Sequence, residues 1–190
     1  IWINKESLID TSKIDSVLSF VQKNNIENIF LQVRARGDAL YESQIVPKYE
    51  KLDSLFDPLN YVLEQTKDLN IKVHAWFNTY ILWSNPISPK DTLHFYYQCP
   101  DCFATDFNGK SDSDVILNQN HSLNWEGVFL SPLNEDVNAH ILSVIEELIT
   151  SYEIDGLHLD YVRFQDMFYG YNYQGLQSFV EEYNFNPKDL

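Results

Sequence analysis

Apolar positions along this chain follow two periods in turn. Ile14, Val17, Leu18 and Val21 recur at helical spacing and predict a helix over roughly 13–24, with Thr11 or Ser12 as its cap. Asp57-Pro58 reads as an N-cap followed by a first-turn proline, and Leu59, Val62 and Leu63 carry a helix over about 58–69. Val137, Ile141, Val144, Ile145 and Leu148 predict a third helix over about 135–151. Strands are predicted at residues 1–4 and at about 28–35, 71–77 and 155–161. Strand and helix alternate with short connections, which points to a parallel sheet. Residues 79–127, with Pro86, Pro89, Pro100 and Gly109, are too long for a plain connection, so this excursion is expected to be functional or locally structured.

Side-chain parity sharpens the fold. Successive strand residues point to opposite faces. In the second strand Ile29, Leu31, Val33 and Ala35 oppose Phe30, Gln32, Arg34 and Arg36. In the third, Val73, Ala75 and Phe77 oppose His74, Trp76 and Asn78. In the fourth, Leu157 and Leu159 oppose Gly156, His158 and Asp160. Each strand thus has one aliphatic face for helices and one that turns polar or aromatic toward its C-terminal end. A doubly wound sheet would be aliphatic on both faces. A barrel gathers such groups at its C-terminal mouth. The expected fold is therefore α/β, a (β/α) TIM-type barrel of which this chain supplies about the first four strands, in order 1-2-3-4 with helices on one side.

With 190 residues the chain is expected to form one domain, 1–190, truncated on its C-terminal side, since a whole barrel takes about 250 residues. A formal net charge of −15 disfavours nucleic acid and anionic membranes as partners. No stretch approaches the ~20 apolar residues of a membrane span. The chain opens on Ile1 without methionine and is read as a mature or trimmed form whose targeting segment, if any, has been removed. Cys99 and Cys102 form a C-x-x-C pair without a second pair of zinc ligands and without the strand and helix of a redox motif. Two structural cysteines, reduced or bridged, are expected. No cofactor and no metal are implied.

The most informative stretch runs from Asp155 to Phe164, Asp-Gly-Leu-His-Leu-Asp-Tyr-Val-Arg-Phe. Asp160 falls at the mouth of the fourth strand, with His158 one layer deeper and Arg163 just beyond. Neighbouring cations keep a carboxylate ionised, which suits a nucleophile or a stabiliser of an oxocarbenium-like transition state.

That stretch, with Gln32-Val33-Arg34-Ala35-Arg36-Gly37-Asp38-Ala39-Leu40-Tyr41 and Val73-His74-Ala75-Trp76-Phe77-Asn78, resembles the glycosyl-hydrolase-like family 10. Asp57-Pro58-Leu59, Phe103-Ala104-Thr105-Asp106, Asn108-Gly109-Lys110 and Leu130-Ser131-Pro132 extend the resemblance over nearly the whole chain. The resemblance implies a TIM-type barrel, an extracytoplasmic location (secreted, periplasmic or lipid-anchored) and carbohydrate substrates, in some members bacterial cell-wall glycan. The fourth strand is also similar to the α-amylase superfamily, where Asp-Gly-Phe-Arg-x-Asp carries the nucleophile. Asp160 matches that nucleophile, and His158 stands where amylases have arginine.

The expected activity is hydrolysis of a polysaccharide at the cell envelope, with Asp160 as nucleophile or stabiliser. Arg34, Arg36, Tyr41, His74, Trp76, Asn78, His158, Tyr161 and Arg163 are the expected substrate-binding residues. Arg34 or Arg36 is expected to reach Asp38 or another carboxylate at the mouth. The general acid is expected outside this chain, on the remainder of the barrel from the same parent. Glu126, Asp38 and Asp166 are the nearest alternatives and read as structural, while Glu181 and Glu182 fall in a further helix. A second reading is a glycan-binding domain without catalysis, with Trp76, Trp83, Tyr80 and Tyr41 as platforms and Asp160 and Arg36 as hydrogen-bonding groups. A third, a metal-dependent hydrolase on His74, His158 and Asp160, lacks a metal-ligand spacing.

Overall fold

The computed structural model describes residues 1–114 and 126–189. Along the chain come β1 (Trp2–Ile3), α1 (Thr11–Lys23), β2 (Asn28–Arg34), α2 (Pro58–Thr66), β3 (Lys72–Asn78), β4 (Ile81–Trp83) and α3 (Phe95–Gln98). They are followed by β5 (Val128–Phe129), α4 (Glu135–Ser151), β6 (Gly156–Asp160) and α5 (Tyr173–Tyr183). These elements divide into two compact units. One comprises Ile1–Asn78 and Val144–Asp160, the other Thr79–Ser143 and Tyr161–Leu190.

The first unit holds a parallel sheet in the order β1-β2-β3-β6, the order expected of the four strands. Ile29, Leu31, Val33, Val73, Ala75 and Phe77 are buried, as are Ile14, Leu18 and Val21 of α1, Leu59 and Val62 of α2, and Val144 and Leu148 of α4. Each such aliphatic side chain contributes about 1.5–3 kcal/mol by leaving water. Two helix boundaries differ from expectation. Asp10 caps α1 in place of Thr11 or Ser12: its extended backbone lets the carboxylate accept from Lys13 N at 2.9 Å. Helix α2 ends at Thr66, where Leu69 N turns back to Thr66 O and tightens the last turn.

A bulge changes the parity of β2. Gln32 pairs with Trp76, but the next partner of Phe77 is Arg34. The extra residue rotates Arg34 onto the face of Phe77. Its guanidinium lies 4.8 Å from the Phe77 ring centroid and donates to Asn78 O. The expectation that Arg34 shares the polar face of Gln32 is thereby corrected.

After β2 the chain is tied down within the same unit. Glu147 of α4 accepts from Ser43 Oγ at 2.5 Å and Gln44 N at 2.6 Å. Tyr152 OH donates to Asp57 Oδ2 at 2.5 Å while accepting from Glu42 N at 2.9 Å. The other oxygen of Asp57 caps α2 through Asn60 N.

The second unit shows that the long excursion is locally structured; its residues 115–125 lie outside the described residues. Strands β4 and β5 pair antiparallel, and an added Cβ at Gly127 would sit 2.6 Å from Trp83 O, so only glycine fits beside that edge. Ile81, Ala104 and Phe129 form a core against which Tyr80, Tyr161 and Tyr169 pack. Phe95 stacks on His140 with centroids 3.8 Å apart. Cys99 and Cys102 are joined in a disulfide. Asp112 is fully buried and accepts from Phe129 N at 2.6 Å. The Gln165 amide, with its nitrogen turned toward the carboxylate, donates to both Asp112 oxygens at 2.9 and 2.7 Å. These strands of two or three residues are too short to announce themselves by alternation.

Candidate active site

The polar and aromatic face of the first unit's sheet carries the candidate site. Trp2 stacks on Phe30, with centroids 4.9 Å apart, and Phe30 stacks on His74 at 4.7 Å. His158 meets the rings of Trp2 and Phe30 edge-on at 6.0 and 5.4 Å. His74 Nε2 is 3.0 Å from Asn28 Oδ1. Gly156 makes room for that imidazole, because a Cβ there would lie 2.6 Å from His74 Nδ1. Parallel register sets Trp76 beside His158 and Asn78 beside Asp160. Both histidines therefore share one half-buried face with aromatic rings, as the parity of β3 and β6 requires.

At the C-terminal end of this face, Trp76 Nε1 donates to Asp160 Oδ2 at 3.0 Å. The indole N–H gives one carboxylate oxygen a directional donor. Asn78 is buried and donates through Nδ2 to Ala35 O at 3.1 Å, while its Oδ1 has no partner among the described residues. An unsatisfied acceptor of this kind is uncommon in a folded interior. Arg34 is buried completely, and burial pushes its pKa down to about 10, which leaves it cationic at neutral pH. It braces the carbonyl of Asn78 from the aliphatic side.

Beyond β2, the backbone N–H of Arg36 donates to Asp38 Oδ1 at 3.3 Å. Asp38 is buried, and loss of solvent raises its pKa against the opposing pull of Lys5 and Arg36. Lys5, absent from the sequence reading, is also buried and sits 4.7 Å from the Tyr49 ring centroid; burial lowers its pKa. A lone lysine after a two-residue strand gives no periodic signal, so nothing in the sequence singled it out.

Several expected site residues are placed otherwise. Tyr41 is fully buried and packs edge-on against Tyr152, so its ring offers no open platform. Trp83 is buried, donating through Nε1 to Ile87 O at 2.7 Å. Tyr80 donates to Asn138 Oδ1 at 3.0 Å. Tyr161 and Arg163 belong to the second unit, where the Arg163 guanidinium lies 5.2 Å from the Tyr161 ring centroid and 5.5 Å from that of Phe129. Arg163 pairs with Glu126 at 2.5 Å. Asp166 accepts from Phe168 N at 2.8 Å, closing a turn. Among the described residues, no three His, Cys, Asp or Glu side chains converge as a metal site.

Residues 1–187 match the Glycosyl hydrolase-like 10 family. The chain belongs to that family. Among its relatives are "Glycosyl hydrolase YngK" of Bacillus subtilis (strain 168), 26% identical over 190 residues, and "Glycosyl hydrolase DigH" of Escherichia coli (strain K12), 26% identical over 177 residues. The alignments cover 95% and 88% of this chain but 33% and 35% of the relatives, so the chain spans about a third of their length. Among solved structures, α-L-fucosidase isoenzyme 2 from Paenibacillus thiaminolyticus superposes with a TM-score of 0.65 at 16% identity, over 91% of this chain and 23% of that one. A hypothetical protein from Ruminiclostridium thermocellum ATCC 27405 gives 0.64 at 16% identity, over 96% and 90%. At these identities the likeness is one of fold: an α/β architecture with a parallel sheet.

Proposed function

We propose that this protein is a glycosidase acting on a polysaccharide of the cell envelope, with Asp160 as the nucleophile or transition-state stabiliser. The supporting observation is the bond from Trp76 Nε1 to Asp160 Oδ2 at the strand ends, on the face that also carries both histidines. In this reading the four parallel strands are the first half of a TIM-type barrel, and the aromatic face is part of its interior. Membership of a glycosyl-hydrolase-like family and the names of the relatives support the reaction class.

The chemistry assigns Asp160 to the anomeric carbon, either forming a glycosyl-enzyme bond or balancing the developing cation. The indole bond holds the carboxylate in one orientation, which reduces the reorganisation needed at the transition state. A retaining mechanism needs a second carboxyl about 5–5.5 Å away. Glu126 is engaged by Arg163 and Asp38 accepts from Arg36 N, so we assign the general acid to the share of the relatives' length that this chain does not span. The same two observations favour, as a second reading, a glycan-binding role without catalysis.

The test is release of new reducing ends from cell-wall glycan and α-glucan by the complete protein and by its Asp160→Asn variant. Loss of release with retained folding and glycan binding supports the reading. Binding of glycan by wild type without any release would select the second one.

A further inference from the structure

The second unit contains a cleft of about 900 Å³, at the upper end of the ~300–1,000 Å³ usual for ligand sites. Its walls come from the disulfide turn, the residues after it, Asn134 and Asp136 at the start of α4, the start of α5 and Lys188, and all belong to that unit. Asn172 stands at the N-cap of α5, where an asparagine ordinarily accepts from the helix N–H groups. Here it caps nothing. Its Nδ2 instead donates to Asp101 O at 2.8 Å and Phe103 O at 3.1 Å. These two carbonyl partners fix the amide orientation, and Oδ1 is left without a partner among the described residues although the side chain is 4% exposed. Asn172, a lining residue of the cleft, therefore holds an oriented, buried acceptor with no partner among the described residues, which calls for an explanation.

The rest of the lining suits one class of ligand. Tyr171 and Tyr173 line the cleft, Tyr173 being 75% exposed, and Phe107 meets Tyr171 edge-on at 5.2 Å. Lys188 lies 5.5 Å from the centroids of both Phe107 and Tyr171, so its charge is held over the rings. Gln177 lies one turn after Tyr173 on α5, also exposed and on the same wall. Aromatic faces give sugar rings an apolar surface, and side-chain amides offer a donor and an acceptor to each pair of hydroxyls. We propose that this cleft is a binding site for a neutral oligosaccharide, separate in its residues from the Asp160 site. It would hold another part of the same polymer, and in that respect it rests on the glycosidase reading.

The test uses the Asp160→Asn protein, so that ligand is not consumed, with and without Tyr173→Ala and Gln177→Ala together. Both side chains are exposed, so their truncation leaves the core intact. The probes are tetrasaccharides of β-1,4-linked N-acetylglucosamine and of α-1,4-linked glucose, followed by amide chemical shifts and calorimetry. The expected result is shifts at residues 171–177 with one probe and at least tenfold weaker binding there in the double variant. In an otherwise wild-type background, the double variant should release reducing ends from short oligosaccharides within twofold of wild type. Shifts confined to Trp76 and its neighbours, no binding of either probe, or equal affinity in the double variant would overturn the cleft. Cleft binding together with no release of reducing ends by the wild-type protein would instead sink the glycosidase reading and leave the cleft standing.

Discussion

Trp76 and Asp160 are not register partners, yet the indole of one reaches the carboxylate of the other at 3.0 Å. The contact runs diagonally between β3 and β6, from the ring beside His158 to the last residue of β6. A diagonal neighbour about 7–8 Å away in the sheet is within reach of an aromatic side chain.

The first prediction separates donor from ring. Trp76→Phe keeps an aromatic surface and removes the N–H. Losing one oriented hydrogen bond to a charged group corresponds to about 1.5–3 kcal/mol, or roughly 10- to 100-fold in turnover. Asp160→Asn should cost a thousandfold or more in the complete protein, with a melting temperature close to wild type. Reducing-end assays and thermal unfolding on the same preparations check both. A Trp76→Phe variant with full turnover would reduce the indole to packing.

A second prediction concerns Gly156. An alanine there places a methyl against His74 Nδ1, and the imidazole must leave its stack on Phe30 and its partner Asn28. Destabilisation of about 1–3 kcal/mol is expected, as for other overpacked sites. Adding His74→Ala should recover part of it. Chemical denaturation of the two single variants and the double variant gives the coupling; strictly additive losses would mean the clash is relieved elsewhere.

Arg34 gives a third. Arg34→Met keeps an unbranched apolar side chain but loses the cation over Phe77 and the donor to Asn78 O. The orphaned carbonyl should cost about 1–3 kcal/mol. Because Asn78 is the register partner of Asp160, turnover should fall by more than the loss of folded protein explains. Specific activity per folded molecule, measured below the melting range, tests this.

The fourth is a pH dependence. Burial pushes Asp112 up to about 7, above the ~3.9 of an unfolded aspartate. Between those values the folded state binds more protons than the unfolded state, so stability falls as pH rises from about 4 to about 7. Asp112→Asn keeps an acceptor for Phe129 N, and the Gln165 amide can turn its oxygen to meet the new donor. That variant should flatten the slope and match or exceed the wild type at pH 8. Urea midpoints measured across pH 4–8 provide the comparison, and parallel curves for the two proteins would acquit Asp112.

The sheet was legible because its signals are periodic. Aliphatic residues at every second position of β2 and β3 mark the faces, proline after Asp57 marks the start of α2, and the alternation of strand and helix gives the strand order. Arg34 was not legible, since one inserted residue inverts a face without altering composition. Tyr41 and Trp83 look like platforms in sequence, where an aromatic ring in the core and one at the surface are written alike. Glu126 and Arg163 are 37 residues apart, and no local pattern announces a pair at that separation. The cleft beside Asn172 has no counterpart in the sequence, because an asparagine that caps a helix and one that turns away are written alike.

The anchoring of the chain after β2 has a consequence for how the first unit opens. Ser43, Gln44 and Glu42 are held by Glu147 and Tyr152, contacts between residues 103 to 110 positions apart. Loop closure over such distances makes contacts slow to form and late to reward the chain. Asp57 links that clasp to the first turn of α2, because one carboxylate serves both Tyr152 and Asn60. Release of Tyr152 should therefore loosen the start of α2 and the 42–44 segment together, as one exchange unit. In native-state hydrogen exchange, the amides of Glu42, Gln44 and Asn60 would then report a common opening free energy, below that of the β2–β3 amides.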